Sequence, residues 1–298
     1  MKKIWLSLVM MLAFAGVSNA AQPLDQETFA SKKVTIALSN GIKMGYVEFG
    51  NPTGEPIILI HGYTDNARAW SLVIPYLDQS KRIIAIDLRG HGITSAPECC
   101  YGFSDLAYDV KLFMDALQIS KATVAGHSLG SIVTQSLAER YPERIKKAIL
   151  VASGENAAHM KAGGELAVLI SDLKEKPAPD SEFLKGWYST VLPVDPEFIK
   201  YEKMESSRVP LHVWKEILFE CQMTEFGRQL WRIKAPTLLV YGAHDSAFSK
   251  ESQNYLRSNI SNIKYIEYSE AGHNVPWELP KELALNIDDF MKGKDTTH

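Results

Sequence analysis

A serine flanked by glycines, a carboxylate far downstream and a histidine after both have the types and order that acyl-transfer chemistry needs. The serine is Ser128, in Gly126-His127-Ser128-Leu129-Gly130. The run Ala122-Thr123-Val124-Ala125 before it reads as a strand. After it, Leu129, Ile132, Val133 and Leu137 fall on one helical face. Strand, Gly-x-Ser-x-Gly, helix is the setting of a nucleophile elbow. So sharp a turn strains the backbone at the serine and crowds its neighbours, which calls for residues without Cβ at 126 and 130. It also aims the helix N-terminus at whatever oxygen becomes negative.

A serine hydroxyl needs a base within hydrogen-bond reach, and the base needs a group to orient it. Of eight histidines, His61, His91, His127, His244 and His273 stand at or near strand ends. His159 and His212 fall in a helical stretch, and His298 ends the chain. His273 follows the last strand on a loop opened by Gly272, and Asp245 follows the preceding strand in Gly242-Ala243-His244-Asp245. Alone, His273 would read as a surface residue and Asp245 as a helix cap. In the order Ser128, Asp245, His273 they read as nucleophile, orienting acid and general base. Glu155, after an earlier strand, is the rival acid. The oxyanion needs two donors. The amide of Leu129 is one candidate, and the amide of Tyr63, in His61-Gly62-Tyr63-Thr64-Asp65, is the other. Losing one such donor costs about 3–4 kcal/mol of transition-state stabilisation. His127 and His244 read as packing residues rather than second bases, and Asp87-Leu88-Arg89-Gly90-His91-Gly92 as a salt-bridged turn. No metal-ligand spacing and no phosphate-cradling glycine loop is present, so no cofactor is expected.

The elements that must hold these groups alternate along the chain. Lys33 to Ser39 and Ile42 to Phe49 read as strands joined at Asn40-Gly41. Ile57–Ile60, Ile83–Ile86, Ala122–Ala125, Ala148–Ala152, Thr237–Tyr241 and Ile263–Tyr268 are short apolar runs, as for strands covered on both faces. Between them lie a helix carrying Trp70, Val73, Ile74 and Leu77, and a second, capped by Ser104, with Leu106, Val110, Phe113, Met114 and Leu117. Further helices follow the elbow, span roughly 250–257, and close the chain on Leu283, Ile287, Phe290 and Met291. This predicts an α/β fold with a mostly parallel sheet and helices on both faces, its ligands at the carboxyl ends of the strands. From about Gly154 to Leu230 strand signals vanish and helical pieces broken by prolines take over.

The 298 residues suit one large α/β domain with room for an insertion, or two ordinary domains, and 46% hydrophobic with 22% charged is the composition of a globular enzyme. Lys2 and Lys3, the apolar run Ile4 to Val17 and Ser18-Asn19-Ala20 form the pattern of a secretory signal peptide, residues 1–20, cut after Ala20. That predicts a periplasmic or secreted protein without a membrane anchor. The net charge of −3 comes with no basic cluster, which argues against nucleic acid or an anionic membrane surface as partner. Oligomeric state is not legible. Cys99, Cys100 and Cys221 leave one thiol over if two of them pair.

Taken in order, His61-Gly62, Asp87 to Gly92, Gly126 to Gly130, Asp245 and Gly272-His273 resemble the α/β-hydrolase fold superfamily, in its lid-bearing serine esterase and lactonase branch. The resemblance spans about residues 33–292. It implies an eight-stranded sheet, a core domain of residues 21–153 and 231–298, and a helical lid at 154–230 inserted after the sixth strand. It also implies a serine hydrolase acting on a carboxylic ester or lactone of a fairly apolar small molecule. A carbon–carbon bond hydrolase and a cofactor-free perhydrolase share the triad, and a slow-turnover ligand receptor shares the fold. Ser128, where epoxide hydrolases and haloalkane dehalogenases have aspartate, argues against those two. The lid is rich in Phe183, Trp187, Tyr188, Phe198, Tyr201, Trp214, Phe219, Met223 and Phe226. Most should be core, with Trp187 and Trp214 lining a substrate pocket beside Tyr63 and His127. A disulfide from Cys221 to Cys99 or Cys100 would clamp the lid, a vicinal bridge being strained.

Overall fold

A computed structural model describes residues 22–155, 163–224 and 226–294. The signal-peptide segment, His159 and His298 lie outside them. Eight strands form one sheet: β1 (Val34–Ala37), β2 (Lys43–Gly50), β3 (Pro56–Ile60), β4 (Arg82–Ile86), β5 (Ala122–His127), β6 (Ile145–Val151), β7 (Thr237–Gly242) and β8 (Ile263–Tyr268). Their order is β1-β2-β4-β3-β5-β6-β7-β8. β2 pairs antiparallel with β1 and β4, and every pairing from β4 through β8 is parallel. The chain reverses direction of travel at β3, which lies between β4 and β5, with Ile60 opposite Gly126. Such a switch point opens a crevice at the carboxyl ends. It sets the loop after β3 beside the elbow after β5.

The apolar runs are strands because both faces of the sheet are covered. Ile57, Ile58, Leu59 and Ile60 are buried throughout. One face packs on α1 (Phe103–Ala116) and α2 (Leu129–Arg140) through Leu106, Val110, Phe113, Ile132, Val133 and Leu137. The other packs Trp70, Val73 and Ile74 with Leu283, Ile287 and Phe290 of α9 (Pro280–Met291), which follows the single turn α8 (Val275–Glu278). α7 (Lys250–Asn259) begins at Ser249, whose hydroxyl accepts from Ser252 N. Between β6 and β7 stand α3 (Gly163–Ser171), α4 (Glu182–Trp187), α5 (Pro196–Ser206), α6 (Leu211–Met223) and a 3-10 stretch, Phe226–Arg232. No helix of the described residues is long and apolar enough to cross a membrane.

Three expectations need correction. The segment after β3 is two short 3-10 turns, Ala67–Trp70 and Ile74–Tyr76, not one helix. Pro75 has no N–H to continue a ladder. α1 is capped at Gly102 rather than Ser104, and Glu220 of α6 accepts from Phe103 N at 3.3 Å in place of a local cap. Cys99 is bonded to Cys100, and Cys221 is a free thiol. Cys221 lines a cavity, whereas Cys99 and Cys100 sit on an exposed loop and bond to each other.

Candidate active site

Ser128 sits at φ 51°, ψ −117°, between the end of β5 and the first turn of α2. This is a strained conformation for a residue with a side chain. It persists because the turn is tied on both sides. Ser128 N donates to Val151 O at 2.9 Å, and Ser131 Oγ donates to Ser128 O at 2.6 Å. The flanking glycines have the expected reason. A Cβ on Gly126 would lie 2.0 Å from Gly130 O, and one on Gly130 would lie 2.3 Å from Ile60 O.

The three expected residues meet. His273 Nε2 lies 2.9 Å from Ser128 Oγ, and His273 Nδ1 lies 3.0 Å from Asp245 Oδ1. The same Oδ1 accepts from Ala247 N at 2.7 Å and Phe248 N at 3.0 Å, which aims the carboxylate at the imidazole. Burial opposes the charge on Asp245, but His273 and these donors outweigh it and hold its pKa below the usual carboxylate range. Burial likewise opposes a proton on His273. The carboxylate of Asp245, with Asp65 and Glu278 beyond it, overcomes that and raises the imidazole pKa. Glu155 takes no part in this chain of bonds; its carbonyl accepts from Gly227 N at 2.8 Å.

These atoms open on a cavity of about 400 Å³. Gly62, Tyr63, Asp65, His127, Ser128, Leu129, Trp187, Val191, Phe248 and Trp277 are among its walls. Leu129 is the first residue of α2, so its N–H has no partner within the helix. Tyr63 lines the same space from the loop after β3. Two buried, neutral histidines hold that loop. His61 Nδ1 donates to Gly62 O at 2.7 Å, while its Nε2 accepts from Leu88 N at 2.9 Å. His91 Nδ1 donates to Arg89 O at 2.9 Å, while its Nε2 accepts from Thr64 N at 3.3 Å. Burial holds His91 down at about 4 and His61 well below its usual value. The turn after β4 is salt-bridged, but to outside partners. Asp87 pairs with Lys33 at 2.9 Å and Arg89 with Asp109 at 2.6 Å.

Successive residues of the loop after β3 are also bonded to the helical insertion. Tyr63 Oη donates to the Trp214 carbonyl of α6. Thr64 Oγ1 accepts from Trp187 Nε1 of α4 at 3.0 Å. Asp65 Oδ1 accepts from Tyr188 Oη at 3.0 Å. Asn66 Nδ2 donates to Glu205 Oε2 of α5 at 2.7 Å, and Arg68 NH2 donates to its Oε1 at 2.6 Å. Thr64 is held at φ 68°, unusual for a β-branched residue.

Of the expected pocket residues, Tyr63, His127 and Trp187 line the cavity and Trp214 does not. Trp214 is 0% exposed, packed behind Tyr63 and Trp187 with ring centroids 5.6 and 5.3 Å away. Phe198 and Tyr188 are likewise core, packed on Trp277, while Phe219 and Met223 point outward. His244 is exposed at the cavity rim rather than packed. Asp65, Cys221, Trp277 and Glu278 also line the cavity, though the sequence does not mark them as pocket residues. Asp65 could have been noticed as a further carboxylate just past a strand end. Glu278 accepts from Gly272 N at 2.6 Å and Val191 N at 3.1 Å, and so joins the His273 loop to the insertion.

The chain matches the α/β hydrolase fold over residues 55–280. It belongs to that family. This member is 24% identical to 3-oxoadipate enol-lactonase 2 of Acinetobacter baylyi, over 84% of its own length and 94% of the relative's. It is 25% identical to Lipase 3 of a Moraxella species, over 98% of both chains. Among solved structures, a hydrolase from Pseudomonas aeruginosa superposes with a TM-score of 0.77 at 24% identity, covering 88% of this α/β hydrolase and 99% of that chain.

Proposed function

We propose that this α/β hydrolase is a serine hydrolase that cleaves a carboxylic ester or lactone of a fairly apolar small molecule, without a cofactor. Ser128 Oγ attacks the acyl carbonyl while His273 Nε2 takes its proton and Asp245 holds the imidazole in the tautomer that can accept it. The amides of Tyr63 and Leu129 face the oxyanion. His273 gives its proton to the departing alkoxide, then draws one from the water that attacks the acyl carbon, and passes it to Ser128 Oγ as the acyl–Oγ bond breaks and the acid leaves. The helices between β6 and β7 act as a lid and choose the substrate. Loss of residues 1–20 on export would place the mature protein in the periplasm or outside the cell.

The observation that carries this reading is the continuous bonding from Asp245 through His273 to Ser128 Oγ at 3.0 and 2.9 Å, ending on a largely apolar cavity. The enol-lactonase and lipase names of the relatives agree with it. The test is labelling by a fluorophosphonate together with turnover of a panel of p-nitrophenyl esters and lactones. Wild-type protein should label at Ser128 and hydrolyse members of the panel. Ser128→Ala should lose the label and at least ~10³-fold of the turnover. Unlabelled wild type, or near-normal turnover by Ser128→Ala, would discard the mechanism.

A further inference from the structure

The cavity holds two buried acceptors that the triad does not use. Asp65 is 4% exposed and lines the cavity. Its carboxyl accepts from Tyr188 Oη at Oδ1 and from the Gly62 backbone, and burial lifts its pKa to about 7, so it is an ionised acceptor above that pH. His127 is 1% exposed and lines the same cavity. Its Nε2 lies 3.0 Å from the carbonyl oxygen of His273, which can only accept, so the proton is on Nε2. Burial and the neighbouring His273 hold this imidazole down at about 3, so Nδ1 carries a lone pair at any working pH. That Nδ1 is buried and receives no hydrogen bond. Both acceptors lie against Gly62, next to the nucleophile. A Cβ on Gly62 would stand 2.7 Å from Asp65 Oδ2, 3.1 Å from His127 Nδ1 and 3.4 Å from Ser128 Cβ.

Leaving such acceptors dry is costly, about 1–3 kcal/mol for a neutral group and more for a charged one. An alkyl group pressed against them would strip their water and return nothing. A donor placed there would restore the bonds. A site built to receive a donor therefore rejects the analogue that lacks it far more strongly than an apolar pocket rejects a wrong methylene.

We infer that Asp65 Oδ2 and His127 Nδ1 form an acceptor subsite beside Ser128 for a hydrogen-bond-donating substituent, a hydroxyl or a protonated amine, close to the scissile carbonyl of the substrate. This rests on the proposed hydrolysis for its meaning but not for its test, which reads binding. The apolar walls at Trp187, Val191 and Phe248 take the rest of the molecule.

The experiment uses Ser128→Ala protein, which lacks only the attacking oxygen, and three esters of similar size: ethyl butanoate, ethyl β-hydroxybutanoate and ethylene glycol monobutanoate. Calorimetry above the Asp65 pKa of about 7, where the carboxyl is ionised, should give at least one hydroxylated ester a Kd about 10-fold or more below that of the plain ester, the worth of a hydrogen bond to a charged group. Adding Asp65→Asn, which keeps the side chain's size and an oxygen for Tyr188, should erase most of that ratio. Thermal unfolding of both variants confirms that they are folded. Equal binding of all three esters, or a ratio untouched by Asp65→Asn, overturns the inference, whether or not wild type hydrolyses them. Turnover by wild type and its fluorophosphonate labelling decide the proposed function separately.

Discussion

His127 Nε2 donates to the backbone carbonyl of His273 at 3.0 Å, so the residue before the proposed nucleophile grips the residue that would take its proton. Ser128 and His273 are thereby registered twice, once through their side chains and once through this bond. The rings of His127 and His273 lie 5.2 Å apart, and that of Trp277 backs His127 at 6.0 Å. Proton transfer depends on such registration, because small displacements of a base are felt strongly in rate.

His127→Leu should therefore lower kcat on plain alkyl esters by about 10-fold or more, the order of one lost buried hydrogen bond, with a smaller change in KM. Steady-state kinetics read the split. A rise in KM at unchanged kcat would make His127 a pocket wall and nothing more.

The pH profile has a predicted direction. Asp245, Asp65 and Glu278 together raise the His273 pKa above its usual 6.5 despite burial. Only neutral imidazole can accept the serine proton, so kcat/KM should rise with pH through that elevated value. Each carboxylate favours the imidazolium when ionised, Asp65 above its own burial-raised pKa of about 7, so removing one lowers the His273 pKa. Asp65→Asn should move the acidic limb toward lower pH, whatever it does to the maximum. A limb that stays in place would show that Asp65 is electrostatically remote from His273.

Glu202 of α5 is fully buried, and neither carboxylate oxygen receives a hydrogen bond. Burial, then Asp65 and Glu205, push its pKa well above 4.5 against the pull of Arg68 and Lys33. A carboxyl whose folded pKa exceeds its unfolded one holds its proton more tightly when folded. Stability is then lost as pH rises from the unfolded value through the folded one. Glu202→Gln cannot titrate. Its Tm should gain on wild type steadily as pH increases from ~5 to ~9. A constant offset would mean that Glu202 finds partners when ionised.

Much of this was legible because parallel strands announce themselves as short apolar runs and place their chemistry just past their ends. Ser128, Asp245 and His273 each follow such a run, and their order alone paired them. What escaped depends on how the insertion docks. Trp187 and Trp214 look alike as aromatic residues on neighbouring helices, yet one lines the cavity and the other lies behind it. That Cys221 stays a free thiol is not legible either, because the way α6 turns it toward the cavity is a packing outcome. Asp65 was passed over as part of a turn. Its importance comes from Tyr188 and His127, which are distant in sequence.

Gly126→Ala tests the elbow by sterics. Its new Cβ would meet backbone atoms of Gly130 and Ser131, which cannot rotate away as a flexible side chain could. A loss of about 1–3 kcal/mol or more in urea unfolding is expected, with activity falling further than stability because Ser128 is displaced. Wild-type stability in this variant would contradict the close packing at the turn.

The bonds from Tyr63, Thr64, Asp65, Asn66 and Arg68 to Trp214, Trp187, Tyr188 and Glu205 bear on how this enzyme can be re-engineered or can diverge. Exchanging all the helices between β6 and β7 for those of another family member would strip the loop after β3 of its side-chain anchors, so such a chimera should lose rate before it acquires a new preference. Residues such as Val191, which face the cavity without anchoring that loop, are the freer places for variation. Selection on this scaffold would accordingly proceed by single substitutions along the cavity wall, with the insertion inherited as a piece.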